Sequence, residues 1–166
     1  MPQQVVLALG ANIGDPIVQL QNAVEAVGEV VEVQQISSLF RTAPEGVVDQ
    51  PEFYNLVVTA RSELPPYQLL QEALRIEAQI GRVRSFRNAP RTIDIDLIDA
   101  GGAIVNSPDL TLPHPRMHLR AFVLVPLVEI APDWRHPVLQ RTAVELIELL
   151  PDALEVARLG PLFPTA

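Results

Sequence analysis

The stretch Pro90-Arg91-Thr92-Ile93-Asp94-Ile95-Asp96-Leu97 decides how this chain reads. Its apolar and polar residues alternate with a period of two from Thr92 to Ile98, the signature of a strand packed on one face. Ile93, Ile95 and Leu97 then face a core, while Asp94 and Asp96 point together to the opposite side. Strand rise sets their α-carbons about 6–7 Å apart. Carboxylates at that spacing can lean onto one hard cation, or share two cations about 3.5–4 Å apart. The plain alternative is a solvated strand face. Against it, aspartate is depleted in strands, and two like charges on one face repel unless something neutralises them.

The neutralising charge lies next door. The chain of 166 residues carries a net charge of −8, all twelve of its basic residues are arginine, and it has no lysine. That excludes a P-loop lysine and a Schiff-base mechanism. An acidic chain with 5% aromatic residues is also unlike a nucleic-acid reader, which gains affinity from a basic face and exposed rings. Yet Arg75, Arg82, Arg84, Arg87 and Arg91 fall within seventeen residues whose only acid is Glu77. A guanidinium fork matches phosphate, and a triphosphate bridged by magnesium satisfies both signs of charge at once. Glu77 falls in the apparent apolar stripe Leu70, Ala73, Leu74 and Ile80, so it is either paired internally or turned toward the site. His114 sits in the rigid turn Leu112-Pro113-His114-Pro115, followed by Arg116 and Arg120; a lone histidine is commonly structural. Asn55 either caps a turn or offers its amide to a heterocycle. Trp134 reads as packing.

Working outward, Val5 to Leu9 reads as a buried strand ending at Gly10. Asp15 and Pro16 open a helix with the stripe Ile17, Leu20, Ala23, Val24 and Val27, closed by Gly28. Val30 to Phe40 and Phe53 to Ala60 read as strands, with a loop over 41–52. Pro65 and Pro66 start a second helix that runs to Gly81, and residues 82–90 read as a loop. Gly101 and Gly102 read as a hairpin turn into a short strand near Ile104. Phe122 to Ile130 and Ala143 to Leu150 read as helices, and 151–166 as a tail without pattern. The expected fold is α+β, a ferredoxin-like βαββαβ sandwich: a mainly antiparallel sheet with helices over one face, plus a C-terminal helical extension. A single domain over 1–166 is expected, with its motifs between about 5 and 133. The chain has no cysteine, so disulfides and thiolate chemistry are excluded. It shows no basic-then-apolar leader and no membrane-length apolar run, so a cytoplasmic protein is expected.

In motif order the chain resembles the 6-hydroxymethyl-7,8-dihydropterin pyrophosphokinases of folate biosynthesis. The resemblance rests on Leu9-Gly10-Ala11-Asn12-Ile13-Gly14-Asp15, Arg41-Thr42-Ala43-Pro44 and Asp49-Gln50-Pro51-Glu52-Phe53-Tyr54-Asn55. It continues through Glu77-Ala78-Gln79-Ile80-Gly81-Arg82-Val83-Arg84, the aspartate block, Pro113-His114-Pro115 and Arg120-Ala121-Phe122. It implies transfer of pyrophosphate from ATP to the pterin hydroxymethyl group with release of AMP. It further implies two Mg2+ ions on Asp94 and Asp96, with Arg82 and Arg91 joining those aspartates as catalytic residues. Glu77, Arg82, Arg84, Arg87, Arg91, His114 and Arg120 would contact the nucleotide, and Thr42, Pro44, Phe53, Asn55 and Phe122 would line the pterin pocket. Two places depart from a common form of the family: Asn88-Ala89, where tryptophan-glycine often stands, and Glu45, where the residue is often apolar. Residue physics alone leaves open another magnesium-dependent phospho- or nucleotidyltransferase, or a non-catalytic ferredoxin-like binding module. The implied substrates are small molecules, with no nucleic acid and no membrane expected and any protein partner left open.

Overall fold

The computed structural model describes residues 1–42, 52–82, 93–151 and 153–164, with Arg82 and Leu154 described by backbone alone. Its elements in chain order are β1 (Gln3–Ala11), α1 (Pro16–Gly28), β2 (Glu32–Ile36), β3 (Leu39–Thr42), β4 (Phe53–Ser62), α2 (Pro66–Arg82), β5 (Asp94–Ala100), β6 (Val105–Asn106), β7 (Thr111–Leu112), α3 (Ala121–Ile130), α4 (Ala143–Ile147) and β8 (Ala157–Gly160). The main sheet runs β5-β1-β4-β3-β8, with β2 also on β4, and each of its pairs is antiparallel.

Helices cover both faces of this sheet, not the single face expected. Val5, Leu7 and Leu9 of β1 pack with α1 and α2 in one core. Val6 and Ala8 pack with α3 and α4 in a second. The signal was in β1 itself, where five consecutive residues are buried: a half-buried strand alternates, whereas a strand covered on both sides reads as a continuous apolar run. α3 supplies the second cover. Val123, Leu124 and Leu127 are buried at 1% exposure or less, and truncating such a leucine typically costs about 2–5 kcal/mol.

Local chemistry sets the element ends. The Asp15 carboxylate accepts from the Val18 amide at 3.3 Å and Pro16 presets the first turn of α1, a cap worth about 1 kcal/mol. In α1 the buried set is Gln19, Leu20, Ala23, Val24 and Val27; Ile17, expected in the stripe, is exposed. The segment expected as one strand over Val30 to Phe40 breaks at Ser37-Ser38. There the Ser37 hydroxyl accepts from the Val57 amide at 2.9 Å, so a side chain takes a ladder position, and the Ser38 hydroxyl turns to Glu129 at 2.8 Å.

β5 begins in the expected alternation and then departs from it. Val6 pairs with Asp99 and Leu7 with Leu97, so Ile98 is an extra residue in a bulge. Alternation keeps Ile98 on the side of Asp94 and Asp96, in the second core, and the bulge turns Asp99 to that side as well, where it accepts from Trp134 Nε1 at 2.9 Å and from the Gly102 amide at 3.1 Å. Gly101 and Gly102 do form a turn, both at positive φ, but β6 pairs with β7 and not back onto β5. The patternless tail also holds structure: β8 pairs antiparallel with β3.

Candidate active site

Cross-strand register assembles the site from the sheet. Asp94 pairs with Gly10, Gly10 with Asn55, and Asp96 with Ala8. Alternation turns both aspartates away from buried Ile93, Ile95 and Leu97, onto the α3 face. Asn55 shares the parity of Val57, whose side chain lies in the core under α3, so it projects to the same face. Two strand spacings put Asp94 and Asn55 about 10 Å apart at their α-carbons. Gly10, between them, leaves the space that the Asn55 carboxamide fills: a Cβ on Gly10 would stand 2.7 Å from Asn55 Oδ1. Asn55 is buried, and its Nδ2 donates to Thr42 Oγ1 at 3.2 Å; Thr42 in turn pairs with Phe53.

The start of α3 brings charge to this row. The Arg120 guanidinium lies 3.9 Å from Asp96 Oδ2 and 5.5 Å over the Phe122 ring, so it neutralises one aspartate while stacking on an aromatic face. His114 is held by its own amide, which donates to the Ile98 carbonyl at 2.9 Å, and by Nδ1, which accepts from the Arg116 amide at 3.2 Å. Burial pushes the imidazole below its ordinary range; Asp96 opposes this, while Arg120 and Arg116 add to it. An imidazole accepting at Nδ1 carries its proton on Nε2, which makes His114 a neutral donor.

A cleft of about 290 Å3 follows the open edge of β5. Its apolar walls are Leu70, Leu74, Leu97 and Leu110, and its polar groups include Glu77, Asp96 and His114. The core stripe of α2 is Leu69, Ala73, Ile76 and Ile80; Leu70 and Leu74, expected in it, lie on the adjoining stripe that faces the cleft. Glu77 does what both earlier alternatives asked. Its Oε2 accepts from the Ile95 amide at 2.6 Å, so it is paired, and it lines the cleft. The outer wall, Pro108 to Thr111, went unread in the sequence, although Ser107-Pro108-Asp109 is a turn signal. Ser107 holds that turn by accepting from the Leu110 amide at 3.2 Å, and its hydroxyl meets Tyr67 at 2.6 Å.

The structure thus gathers Asp94, Asp96, Arg120, Phe122, His114 and Glu77 around one end and edge of the sheet, with Thr42, Phe53 and Asn55 on the adjoining strands. Arg82 ends α2, five residues beyond Glu77, whose carboxylate holds the Ile95 amide. Pro44, Arg84, Arg87 and Arg91, with Glu45 and Asn88-Ala89, lie outside the described residues. Among the described residues no cluster of three or more histidines and carboxylates is arranged to hold a metal by itself.

A layered α/β fold with a cleft among the described residues lined by carboxylates, a neutral histidine and leucines fits a class, that of enzymes acting on small molecules. Within it, the family model of 7,8-dihydro-6-hydroxymethylpterin-pyrophosphokinase (HPPK) matches residues 6–132, and the chain belongs to that family. It is 45% identical over 152 residues to the 2-amino-4-hydroxy-6-hydroxymethyldihydropteridine pyrophosphokinase of Synechocystis sp., covering 89% of this chain and 77% of the relative. It is 40% identical over 162 residues to the enzyme of the same name from Pseudomonas aeruginosa, covering 92% and 100%. It also matches the Folic acid synthesis protein FOL1 of Dictyostelium discoideum at 38% identity, spanning 95% of this chain but 24% of that protein. Among solved structures, wild-type Plasmodium falciparum HPPK-DHPS superposes with a TM-score of 0.72 at 16% identity, over 89% of this chain and 44% of that one, a likeness of fold.

Proposed function

We propose that the chain transfers the β,γ-pyrophosphoryl group of ATP to the hydroxymethyl oxygen of 6-hydroxymethyl-7,8-dihydropterin, a step of folate biosynthesis. The oxygen of the hydroxymethyl group bonds to the β-phosphorus, the bridge from that phosphorus to the α-phosphate oxygen breaks, and AMP leaves with the bridging oxygen. The hydroxyl proton goes to water or a phosphate oxygen. The observation that carries this reading is the row Asp94–Gly10–Asn55, with Asp96 on the next row opposite Ala8, which sets two carboxylates and a buried amide on one sheet face.

The residues divide the work. The leucine-walled cleft takes the base of ATP, and the outward-facing backbone of Leu97 on the open edge of β5 reads its rim. Glu77 fixes that edge by holding the Ile95 amide. The neutral His114 donates from Nε2 to a phosphate oxygen, and Arg120 turns from Asp96 to the triphosphate. Arg82, Arg84, Arg87 and Arg91 neutralise it further from the segment entering β5. Asn55 reads the polar rim of the pterin, flanked by Phe53 and Phe122, with Thr42 holding the amide and Pro44 closing that side.

Asp94 is exposed and Asp96 partly so, and their hard oxygens leave room for waters and phosphate oxygens, a donor set that fits magnesium. Two Mg2+ ions held there would neutralise charge on the transferring phosphates and align the attacking oxygen. This transfer depends on alignment and charge, which the arginines and the pterin pocket supply.

We take 1–166 as one domain, because β1 and β4 belong to both cores. The order β5-β1-β4-β3 supports the ferredoxin-like βαββαβ reading, with α3 and α4 as a C-terminal addition that covers its second face. No helix among the described residues is long and apolar enough to cross a membrane; a cytoplasmic site of action and small-molecule substrates accord with that. Incubation with ATP, magnesium and the reduced hydroxymethylpterin tests the reaction. AMP in step with pterin consumption supports it, and ADP as the product refutes it.

A further inference from the structure

We infer that residues 157–162 are a strap that positions the pterin side of the site, an inference that rests on the function proposed above. β3 is four residues long and carries Thr42, which holds Asn55. Without β8 it would be a short sheet edge. β8 closes that edge by pairing Gly160 with Leu39, Arg158 with Phe40 and Ala157 with Arg41.

Two anchors hold the strap, one on each side of the sheet. On the α3 side, Arg158 Nε donates to Glu129 Oε2 at 3.0 Å, and the same carboxylate accepts from the amide and hydroxyl of Ser38, at the head of β3. Burial works to raise the Glu129 carboxyl, but the Ser38 and Arg158 donors outweigh it and hold it below its ordinary range. On the α1 side, Leu162 is 3% exposed within the first core, and its carbonyl accepts from Gln21 Nε2 at 2.9 Å. The strap therefore passes from one face of the sheet to the other around β3. The family model ends at residue 132, well before it, so the strap lies outside the residues that model matches. A fixed β3 fixes Thr42, and Thr42 fixes the amide that meets the pterin.

The test uses two full-length variants, Arg158→Gln and Leu162→Asp, with Leu162→Ala in reserve if the aspartate variant does not fold. The expected result is a rise of about tenfold in KM for the pterin, the worth of roughly one positioning hydrogen bond, with KM for ATP within about twofold. Hydrogen exchange at 39–42 and 53–56 should rise while 94–100 keeps its protection. Unchanged KM values, a fall in kcat with both KM values constant, or unchanged exchange at 39–42 would each overturn the inference. If the wild-type chain releases no AMP, the proposed reaction fails, and exchange still decides whether the strap braces β3.

Discussion

Gly10→Ala probes the site through a single methyl group. Gly10 lies in β1 without the positive φ found at Gly14, Gly101, Gly102 and Gly160, so the backbone accepts alanine. The new Cβ would stand 2.7 Å from Asn55 Oδ1, whereas contacts of this kind settle near about 3.5 Å. The Asn55 side chain must therefore move by roughly 0.8 Å, and its bond to Thr42, already 3.2 Å long, is lost. One hydrogen bond is worth about 0.5–1.5 kcal/mol and an off-rotamer side chain costs a similar amount, about 1–3 kcal/mol together. KM for the pterin should rise between about fivefold and 140-fold. KM for ATP should stay within about threefold, and the thermal midpoint should fall by a few degrees, because the lost bond and the strain outweigh the roughly 0.5–1 kcal/mol that alanine gains over glycine in a strand. Steady-state kinetics with AMP as the readout, run also in an Asn55→Ala background, make the check. With no carboxamide to displace, the second alanine should add nothing. A pterin KM within twofold of wild type, or the same penalty in both backgrounds, would refute the reasoning.

Further tests reach the other parts of the structure. Tyr67→Phe removes the bond to Ser107 that steadies the outer cleft wall, so KM for ATP should rise about two- to fivefold with the pterin KM unmoved; no change in either would show that the wall holds itself. His136 is buried, its Nδ1 accepts from the Val138 and Leu139 amides at 3.2 and 3.0 Å, and burial first, then His118, push its pKa down. A depressed histidine leaves stability complete above the unfolded value of about 6.5 and loses it as pH falls through the window below. The thermal midpoint should thus fall from pH 7.5 to 5. His136→Asn, whose carbonyl oxygen accepts from the same amides, should flatten part of that fall; His114, depressed in the same sense, contributes to the remainder. An equally steep fall in the variant would remove His136 from the explanation.

Asp94 and Asp96 were legible because a strand's period of two is visible in seven residues, and because charge on one strand face demands a partner. Glu77 was half legible. Helical spacing places it beside both stripes of α2, and only packing shows that Leu69 and Ile76 face the core while Leu70 and Leu74 face the cleft. The second layer of helices could have been read from the unbroken apolar run of β1; the expectation of one covered face came from the topology alone. The bulge at Ile98 left only a faint trace: Leu97 and Ile98 are both apolar, and Asp99 falls out of phase with Asp94 and Asp96. β8 was hidden for another reason. Ala157-Arg158-Leu159-Gly160 is too short and too exposed to show a period, and its pairing depends on Arg158 finding Glu129 from another element.

Binding of a non-hydrolysable ATP analogue, titrated calorimetrically with and without magnesium, tests most directly whether Asp94 and Asp96 seat a metal-bridged triphosphate. Wild-type chain, Asp94→Asn and Asp96→Asn are compared, each shown to be folded. The expected result is wild-type binding that tightens strongly with magnesium, and variants that bind weakly and alike in both conditions, with turnover lower by about two orders of magnitude or more. Folded variants that keep the wild-type magnesium dependence would contradict it.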